Sequence, residues 1–517
     1  MKKLSAKQKR WIEKSVSTDR SYKKLVYTRF FLCACSVLLQ ACAYVIAFVW
    51  LGSRGWIFNF LCSVVGVAFV LYLFSRTDKP SAKLSWVLII LLFPIVGITL
   101  YLAFGDGRPM KKLLKKIESV KAKNRLDADM PKQIPKKTGG NEYFLQKSGF
   151  FASTGGDVEY FSTGRAAFEQ MLVEMERAKK YILMEYFIVA GGKMWEKMLA
   201  VLLQKAMEGV KIYILYDDFG SLFVLPPKYD KYLESLHENI SCVAFNKVKP
   251  VFSSRLNNRD HRKMLVVDGE VAFTGGINLA DEYIDEKKRF GYWKDTAIKV
   301  TGSAVNSFVL AFFDLFGALK PIDSVKDFLQ EQKGEKTKGV IIPYDDIPGD
   351  NRIIAETVYL NVIERAKKYL YITTPYLILD DFMRSALCRA AMRGVDVRIV
   401  TPGIPDKKLV YRLTRANYDL LIKAGVKVYE YTPGFIHAKS VVSDGAAIVG
   451  TVNFDYRSFH LHFENAVYFT KEGAVAAVKA DMEEVFLVSK LCDENTVKRG
   501  FFGRILDANL RVFETLM

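Results

Sequence analysis

The sequence predicts an α/β protein in which two duplicated α/β sheet domains, related by a pseudo-two-fold axis, follow N-terminal transmembrane helices. Three features of the 517-residue chain predict this architecture. Uncharged apolar runs open the chain, the hexapeptide Glu-Arg-Ala-Lys-Lys-Tyr occurs twice, and a His-x-Lys-x4-Asp pattern occurs once in each predicted domain. A repeat on this scale indicates one structural unit built twice, and a chain of this length can hold several domains.

The apolar runs predict about three membrane spans. They are Phe30–Leu51, Trp56–Phe74 and Leu84–Phe104. Each is close to the roughly twenty residues that cross a hydrocarbon core, and none contains a charge. Tryptophan and tyrosine side chains stand near the run ends, where interfacial aromatic residues are common.

The basic residues around these runs give two conflicting predictions of orientation. Ten Lys/Arg precede the first run, which favours an N-terminus in the cytoplasm. Three full spans would then place the C-terminal part outside, but eight Lys/Arg between Arg108 and Arg125 favour that part inside. Either one run is re-entrant, or one basic cluster does not lie on the cytoplasmic side. We expect a multi-pass protein whose large C-terminal part is cytoplasmic.

Net charge and cysteine usage limit the classes of partner and the redox compartment that fit this chain. A formal charge of +19 suits a polyanionic partner, either nucleic acid or an anionic membrane surface. Lys111, Lys112, Lys115 and Lys116 follow the third run directly, where anionic lipid contributes about 1 kcal/mol per basic residue; a solvated linker helix is the alternative. The seven cysteines form neither a disulfide framework nor a metal cluster, which favours a reducing compartment.

The repeated hexapeptide fixes the domain plan. Glu176–Tyr181 recurs as Glu364–Tyr369, and each copy ends a helical pattern and enters a strand-like run. A second helix closing at glycine and a further strand follow in each copy, which predicts α/β sheets. The predicted segments are 1–29, a basic N-terminal segment; 30–104, transmembrane; 105–141, a basic linker; 142–331, the first half; 340–492, the second half; and 493–517, an amphipathic tail. The tail either lies on the membrane or packs against the second half.

The repeated motif supplies the chemistry. Its first copy is His261, Lys263 and Asp268, followed by Gly275-Gly-Ile-Asn278. Residues two apart on a strand share a face, so a proton carrier or nucleophile stands beside a cation suited to a phosphate oxygen. The aspartate, seven positions past the histidine, lies on the opposite face, and we expect it to fix the turn.

The second copy repeats this pattern with one difference. It is His437, Lys439 and Asp444, followed by Gly450-Thr-Val-Asn453. Six residues separate the aspartate from the glycine in the first copy and five in the second, which predicts a hairpin tighter by one residue.

The paired motif resembles the phospholipase D superfamily, and most closely its bacterial cardiolipin synthase branch. The resemblance runs from Ser81–Trp86 through Arg259–Lys263 to Asn453–Ser458, and covers about residues 80–490. It implies two half-domains meeting in one site, and transfer of a phosphatidyl group between two phosphatidylglycerol molecules, which gives cardiolipin and glycerol through a phosphohistidine. It also implies a bacterial plasma-membrane protein with anionic membrane lipids as partners, without nucleic acid, cofactor or metal.

The resemblance also implies roles for single residues. The catalytic residues would come from the two motifs, His261, Lys263, Asp268, His437, Lys439 and Asp444. One histidine attacks phosphorus, for which the family tendency favours His261, and the other serves as acid and base. Further residues would orient a histidine or bind phosphate: Asn278 and Asn453 as donors, Glu464 holding the second histidine, Asp295 at the corresponding place in the first half, and Ser458 contacting a lipid phosphate or capping a turn. His460 and His462, which precede Glu464, are weaker candidates.

Other functions remain open from the sequence. A membrane-bound phospholipase D would use the same motifs with water as the acceptor. A nuclease would also explain the positive charge, but it has little need of three spans. A non-catalytic membrane scaffold conflicts with two intact motifs. The pattern does not specify an oligomeric state.

Overall fold

The computed structural model describes most of the chain beyond residue 54. The described residues are 55–76, 79–105, 111–128, 140–248, 257–331, 338–350 and 352–512, together with Cys42, Val45 and Glu514. The predicted basic segment 1–29 and nearly all of the first apolar run lie outside them.

The secondary structure alternates strands and helices after residue 140. The helices are α1 (Gly55–Ser75), α2 (Pro80–Leu92), α3 (Pro94–Leu100), α4 (Lys111–Asp127), α5 (Gly140–Lys147), α6 (Gly164–Arg177), α7 (Lys193–Met207), α8 (Tyr229–Glu234), α9 (Val305–Leu319), α10 (Ile354–Arg365), α11 (Asp381–Met392), α12 (Lys408–Ala416), α13 (Tyr418–Lys423), α14 (Tyr456–His460), α15 (Glu472–Leu487), α16 (Glu494–Val497) and α17 (Phe501–Val512). The first-half strands are β1 (Val158–Phe161), β2 (Tyr181–Tyr186), β3 (Lys211–Asp217), β4 (Ile240–Phe245), β5 (Lys263–Val267), β6 (Val271–Gly275), β7 (Tyr292–Lys294) and β8 (Ala297–Thr301). The second-half strands are β9 (Ile341–Asp346), β10 (Tyr369–Thr373), β11 (Leu377–Ile378), β12 (Asp396–Pro402), β13 (Lys427–Tyr431), β14 (Gly434–Ile436), β15 (Ser440–Ser443), β16 (Ala446–Gly450), β17 (Phe454–Asp455), β18 (Glu464–Phe469) and β19 (Ser489–Leu491).

Two sheets of the same topology confirm the predicted duplication. The first has the strand order β1-β8-β6-β5-β2-β3-β4. The second, taken from its other edge, runs β9-β18-β16-β15-β10-β12-β13 and adds β19. In each sheet the strand after the repeated hexapeptide lies between a parallel neighbour and the antiparallel motif strand.

One hydrophobic core joins the two sheets. It contains residues of both, such as Leu183 and Val266 from the first and Val442 and Val467 from the second, with α9 and α15 packed between them. The segment Gly302–Leu319 is apolar enough to cross a membrane, but 72% of it is buried, because α9 is a core helix.

The membrane region differs from three equal spans. Helix α1 contains the second apolar run and is long and apolar enough to span a bilayer, and 18% of its apolar stretch is buried. The third run is not one helix. Its first part belongs to α2, which ends at Leu92, and α3 begins at Pro94 after a break at Phe93. Proline lacks the N–H that would continue α2, so the break follows from the sequence.

The two motif aspartates hold the repeated hexapeptides. Asp268 has a φ of 52° at the turn, and its carboxylate accepts the N–H groups of Lys179, Lys180 and Tyr181 at 2.7–2.8 Å. Asp444 has a φ of 34° and accepts the N–H groups of Lys367 and Lys368. This geometry ties each hairpin turn to the start of the neighbouring strand, which agrees with the expected structural role of the motif aspartates and corrects the catalytic role that the resemblance implied for Asp268 and Asp444.

The hairpins also show the predicted difference in length. Val267 pairs with Val271, which leaves three residues in the first turn, whereas Ser443 pairs with Ala446 and leaves two. The second hairpin is therefore tighter by one residue.

The C-terminal tail packs against the second half through one face. Leu510 of α17 is buried beside Leu413 and Ile378, and Arg412 donates to Asp507 at 2.6 Å. The sequence left two placements open for the tail, on the membrane or against the second half. The structure shows contact with the second half. The opposite face of α17 leaves Phe501 and Phe502 exposed.

We predict that Asp268→Ala destabilises the fold without removing a reacting group. Loss of the carboxylate leaves three N–H groups without their acceptor at a largely buried site, which costs about 1–3 kcal/mol. Thermal or denaturant unfolding in detergent measures the change. Asp444→Ala is the matched control and should cost less, because Asp444 is exposed and holds two N–H groups. Equal stability of Asp268→Ala and the unaltered chain would contradict the anchoring role.

Candidate active site

The two histidine motifs meet where the halves pair with each other. Strand β14, just before His437, pairs in parallel with β7, just before Asp295. At the equivalent place Asp260, just before His261, forms a parallel bridge with Phe463, just before Glu464. Each histidine therefore enters the site alongside a carboxylate from the other half.

Hydrogen bonds complete this exchange. The His437 N–H donates to the carbonyl of Lys294 at 2.7 Å, and His437 Nδ1 lies 2.7 Å from Asp295 Oδ2. The His261 N–H donates to the carbonyl of Phe463 at 2.9 Å, and His261 Nδ1 lies 2.9 Å from both Glu464 carboxyl oxygens. With Nδ1 engaged, each ring is left with Nε2 for chemistry.

This pairing corrects one expectation from the sequence. The resemblance assigned Glu464 to the second histidine, but Glu464 binds His261, and Asp295 of the first half binds His437. The reason is the inter-half strand pairing, which places residues of opposite halves in register. Each half thus carries the partner of the other half's histidine.

The two lysines lie beside their histidines, as strand alternation predicted. Lys263 Nζ donates to the carbonyl of His261 at 2.8 Å. Lys439 Nζ donates to the carbonyl of His437 and lies 3.0 Å from its Nδ1. Both lysines are 1% exposed, so two cations lie within one enclosed site.

Burial sets the protonation of this site. It lowers the pKa of Lys263 to about 7 and that of Lys439 to about 8. Burial, helped by Lys439, lowers the pKa of His437 to about 4, and burial with Lys263 holds the pKa of His261 well below its usual value. Without a bound anion the site therefore keeps both histidines neutral at neutral pH.

The two carboxyl partners differ in charge. Burial raises the pKa of Glu464 well above its usual value. Burial acts in the same direction on Asp295, but His437 and Lys439 overcome it and hold the pKa of Asp295 below its usual value. Asp295 is thus the ionised member of the pair and the better partner for an imidazolium.

The asparagines of the motifs have different surroundings. Asn278 accepts the Ile188 N–H at 3.1 Å and donates to the Tyr283 hydroxyl at 2.7 Å, so its amide supports a wall of the site. Asn453 is buried, and its Oδ1 has no hydrogen-bond partner among the described residues. Asp455, and not Ser458, caps this turn, because the Asp455 carboxylate accepts the backbone N–H of Ser458 at 2.7 Å.

Aromatic rings that the sequence did not single out enclose the histidines. The ring of Phe187 lies 5.1 Å from that of His261, and the rings of Tyr283 and Trp293 lie 5.4 and 5.5 Å from that of His437. His462, one of the weaker candidates, lies 5.5 Å from His261. The position of Phe187, just after β2, was the available signal, since residues that follow sheet strands often line sites.

Two groups of side chains have metal-ligand chemistry among the described residues. His261, His462 and Glu464 form one, with ligand atoms within 4.8 Å of one another, and Glu356, Asp380 and His460 form the other. The first group already contains the histidine–carboxyl hydrogen bond. In the second, the Lys79 ammonium binds both carboxylates.

The fold and the paired site define a phospholipase D-like protein, and comparisons with known proteins agree. The family described as "Cardiolipin synthase, PLD-like domain" matches residues 171–291 and 359–486, and the one described as "Phospholipase_D-nuclease N-terminal" matches residues 63–105. A phosphatidylserine synthase of Haemophilus influenzae shares the fold, with a TM-score of 0.55 and 13% identity over 70% of this chain and 95% of that chain.

Relatives of known name are similar over nearly the full length. A cardiolipin synthase of Alkalihalophilus pseudofirmus is 32% identical over 491 residues, 90% of this chain and 96% of that protein. Cardiolipin synthase 2 of Bacillus cereus is 33% identical over 463 residues, 86% of this chain and 88% of that protein. The chain therefore belongs to the cardiolipin synthase family of the phospholipase D superfamily.

We predict that phosphate binding weakens as pH rises through the lysine pKa values of about 7 and about 8. A lysine attracts an anionic phosphodiester only when protonated, so affinity is full below both values and then falls by up to about tenfold per pH unit for each proton taken up. The measurement is phosphatidylglycerol binding to His261→Ala between pH 6 and 9. Lys263→Met in that background should flatten the dependence near pH 7. Affinity that rises with pH would contradict the assignment.

Proposed function

We propose that this chain is a cardiolipin synthase that transfers a phosphatidyl group between two phosphatidylglycerol molecules, releasing glycerol. The observation that carries the proposal is the reciprocal pair of histidine–carboxyl contacts in one buried site that also holds two lysines. Two histidines with oriented Nε2 atoms, one neutral as the nucleophile and one that takes up a proton to act as the acid, suit a double displacement at phosphorus. Relatives named cardiolipin synthase over 86–90% of the chain support the lipid substrate.

His261 is the nucleophile in this proposal. Burial holds its pKa well below the usual value, so the ring is neutral, and the Nδ1 contact with Glu464 aims the Nε2 lone pair at the substrate. Nε2 attacks the phosphorus of phosphatidylglycerol, the P–N bond forms, and the bond from phosphorus to the glycerol oxygen breaks. The phosphatidyl group is then carried on His261.

His437 carries the proton. Asp295 is ionised and bound to its Nδ1, so it stabilises the imidazolium that forms when the phosphodiester brings negative charge into the site. His437 gives this proton to the departing glycerol oxygen. It then takes a proton from the hydroxyl of a second phosphatidylglycerol, which attacks phosphorus, breaks the P–N bond and restores His261.

The two lysines stabilise the charge on the transferred group. Lys263 and Lys439 each use one N–H on a motif carbonyl, which leaves further N–H groups for non-bridging oxygens. Two buried lysines already in place, and protonated when the phosphodiester binds, need little rearrangement as the transition state develops. Asn453 lies in the same motif, and its Oδ1, which has no partner among the described residues, is a candidate acceptor for a hydroxyl of the glycerol headgroup.

The membrane side of the reaction belongs to the same proposal. Both substrates are anionic membrane lipids, and the charge of +19 suits such a surface. We place the protein in the bacterial plasma membrane as a multi-pass chain with its catalytic halves in the cytoplasm.

The product assay is the first test. The purified protein in detergent is given phosphatidylglycerol as the sole lipid, and products are measured by mass spectrometry. We expect cardiolipin and free glycerol, both lost in His261→Ala and in His437→Ala. Phosphatidic acid without cardiolipin would mean that water is the acceptor, as in a membrane-bound phospholipase D. Unchanged phosphatidylglycerol would reject the lipid assignment.

A second substrate separates the two histidines. The nitrophenol ester of phosphatidic acid has a leaving group that needs no proton, so the general-acid contribution, worth about 10²–10⁴-fold, becomes dispensable for the first step. We expect His437→Ala to release a stoichiometric burst of nitrophenol and to retain a phosphohistidine, and His261→Ala to release none. The reverse pattern would make His437 the nucleophile.

A further inference from the structure

The third apolar run folds back on itself. A side chain at Gly97 would begin 2.7 Å from the Cα of Ile90, and the rings of Trp86 and Tyr101 lie 5.4 Å apart. These contacts pair positions at equal distances on either side of the junction between Phe93 and Pro94. Helices α2 and α3, with the helical turn Tyr101–Gly105, therefore form an antiparallel hairpin.

The tip of this hairpin lies at the middle of α1. A side chain at Gly66, the twelfth of the 21 residues of α1, would begin 3.1 Å from Pro94 at the tip. With a rise of 1.5 Å per residue, α1 is about 30 Å long and matches a hydrocarbon core, whereas the 13 residues of α2 reach about 20 Å. The tip of the hairpin thus reaches the middle of α1, and the chain then returns.

Both ends of the hairpin are tied to the catalytic halves. Before it, Lys79 binds Glu356 at 2.5 Å and also Asp380 in the second half. After it, α4 binds the first half, where Asn124 donates to Asp314 at 2.8 Å. Only residues 106–110 join the hairpin to α4. The beginning and the end of the hairpin therefore lie on the same side as the catalytic halves.

The hairpin surface requires an apolar environment. Its exposed side chains include Leu84, Leu91, Leu92 and Phe93, each more than half exposed. Helix α17, which contacts α2, carries exposed Phe501 and Phe502. Helix α4, which follows the hairpin, carries four exposed lysines that suit anionic headgroups: Lys111, Lys112, Lys115 and Lys116.

We propose that α2 and α3 form a re-entrant hairpin that enters one leaflet of an anionic bilayer and returns to the face occupied by the catalytic halves. Helix α1 crosses fully, and α17 lies against the surface of the same leaflet. Together with the predicted crossing of the first apolar run, this arrangement places the two basic clusters around the membrane region on one face, because the third run makes no crossing. The hairpin holds the catalytic halves against the leaflet that contains their substrates.

Side-specific labelling tests the hairpin independently of the reaction. Ser75→Cys, at the end of α1, and Ser119→Cys, in α4, replace exposed serines with a nearly isosteric residue. Cells producing the full chain are treated with a membrane-impermeant maleimide before or after permeabilisation. Peptide mapping identifies the labelled position, which separates it from the seven native cysteines.

We expect both positions to be protected in intact cells and labelled after permeabilisation, as for two sites on the cytoplasmic face. Ser53→Cys, between the first two apolar runs, is the control and should be labelled in intact cells. Labelling of Ser75→Cys and Ser119→Cys on opposite faces, in variants whose melting temperature in detergent matches the unaltered chain, would overturn the hairpin and restore a third span.

Discussion

The parallel pairing between the two halves is the interaction on which the site depends. Strand β14 on β7, and the bridge from Asp260 to Phe463, bring together segments that are far apart in sequence. Backbone hydrogen bonds fix the register, and the register decides which carboxyl group meets which histidine. Since both histidines and both carboxyl groups are buried, a slip by one residue would leave polar groups unpaired in the interior, at a large cost in free energy.

Much of the fold was predictable because its signals are local. Most central strands could be located from the repeated hexapeptide, from the glycines that close α7 and α11, and from the Asp-Gly turns. The spacing after the aspartates predicted the difference in length between the hairpins. Pro94 is a local signal for the break in the third apolar run, since proline ends a helix, although Leu84–Phe104 was predicted as one span. Its consequence, a chain that turns back, depends on contacts with Gly66 and Ile90 that no local pattern contains.

The site was predictable in its residues and less so in its connections. The motifs named His261 and His437, but nothing local says that Glu464 meets the first and Asp295 the second, because that depends on how two half-domains pack. Asn278 shows the same limit: its sequence position suggests a phosphate donor, whereas its amide is engaged by Ile188 and Tyr283. The aromatic enclosure comes from Phe187, Tyr283 and Trp293, which belong to neither motif.

The two carboxyl partners are not the same residue, and this breaks the equivalence of the halves. Glu464 spans one more methylene than Asp295 and meets its histidine with both oxygens, while Asp295 uses one oxygen at 2.7 Å. A chain assembled from two copies of either half would carry two identical pairs and lose this difference. The duplicated halves have therefore become complementary parts, and neither can replace the other by simple exchange.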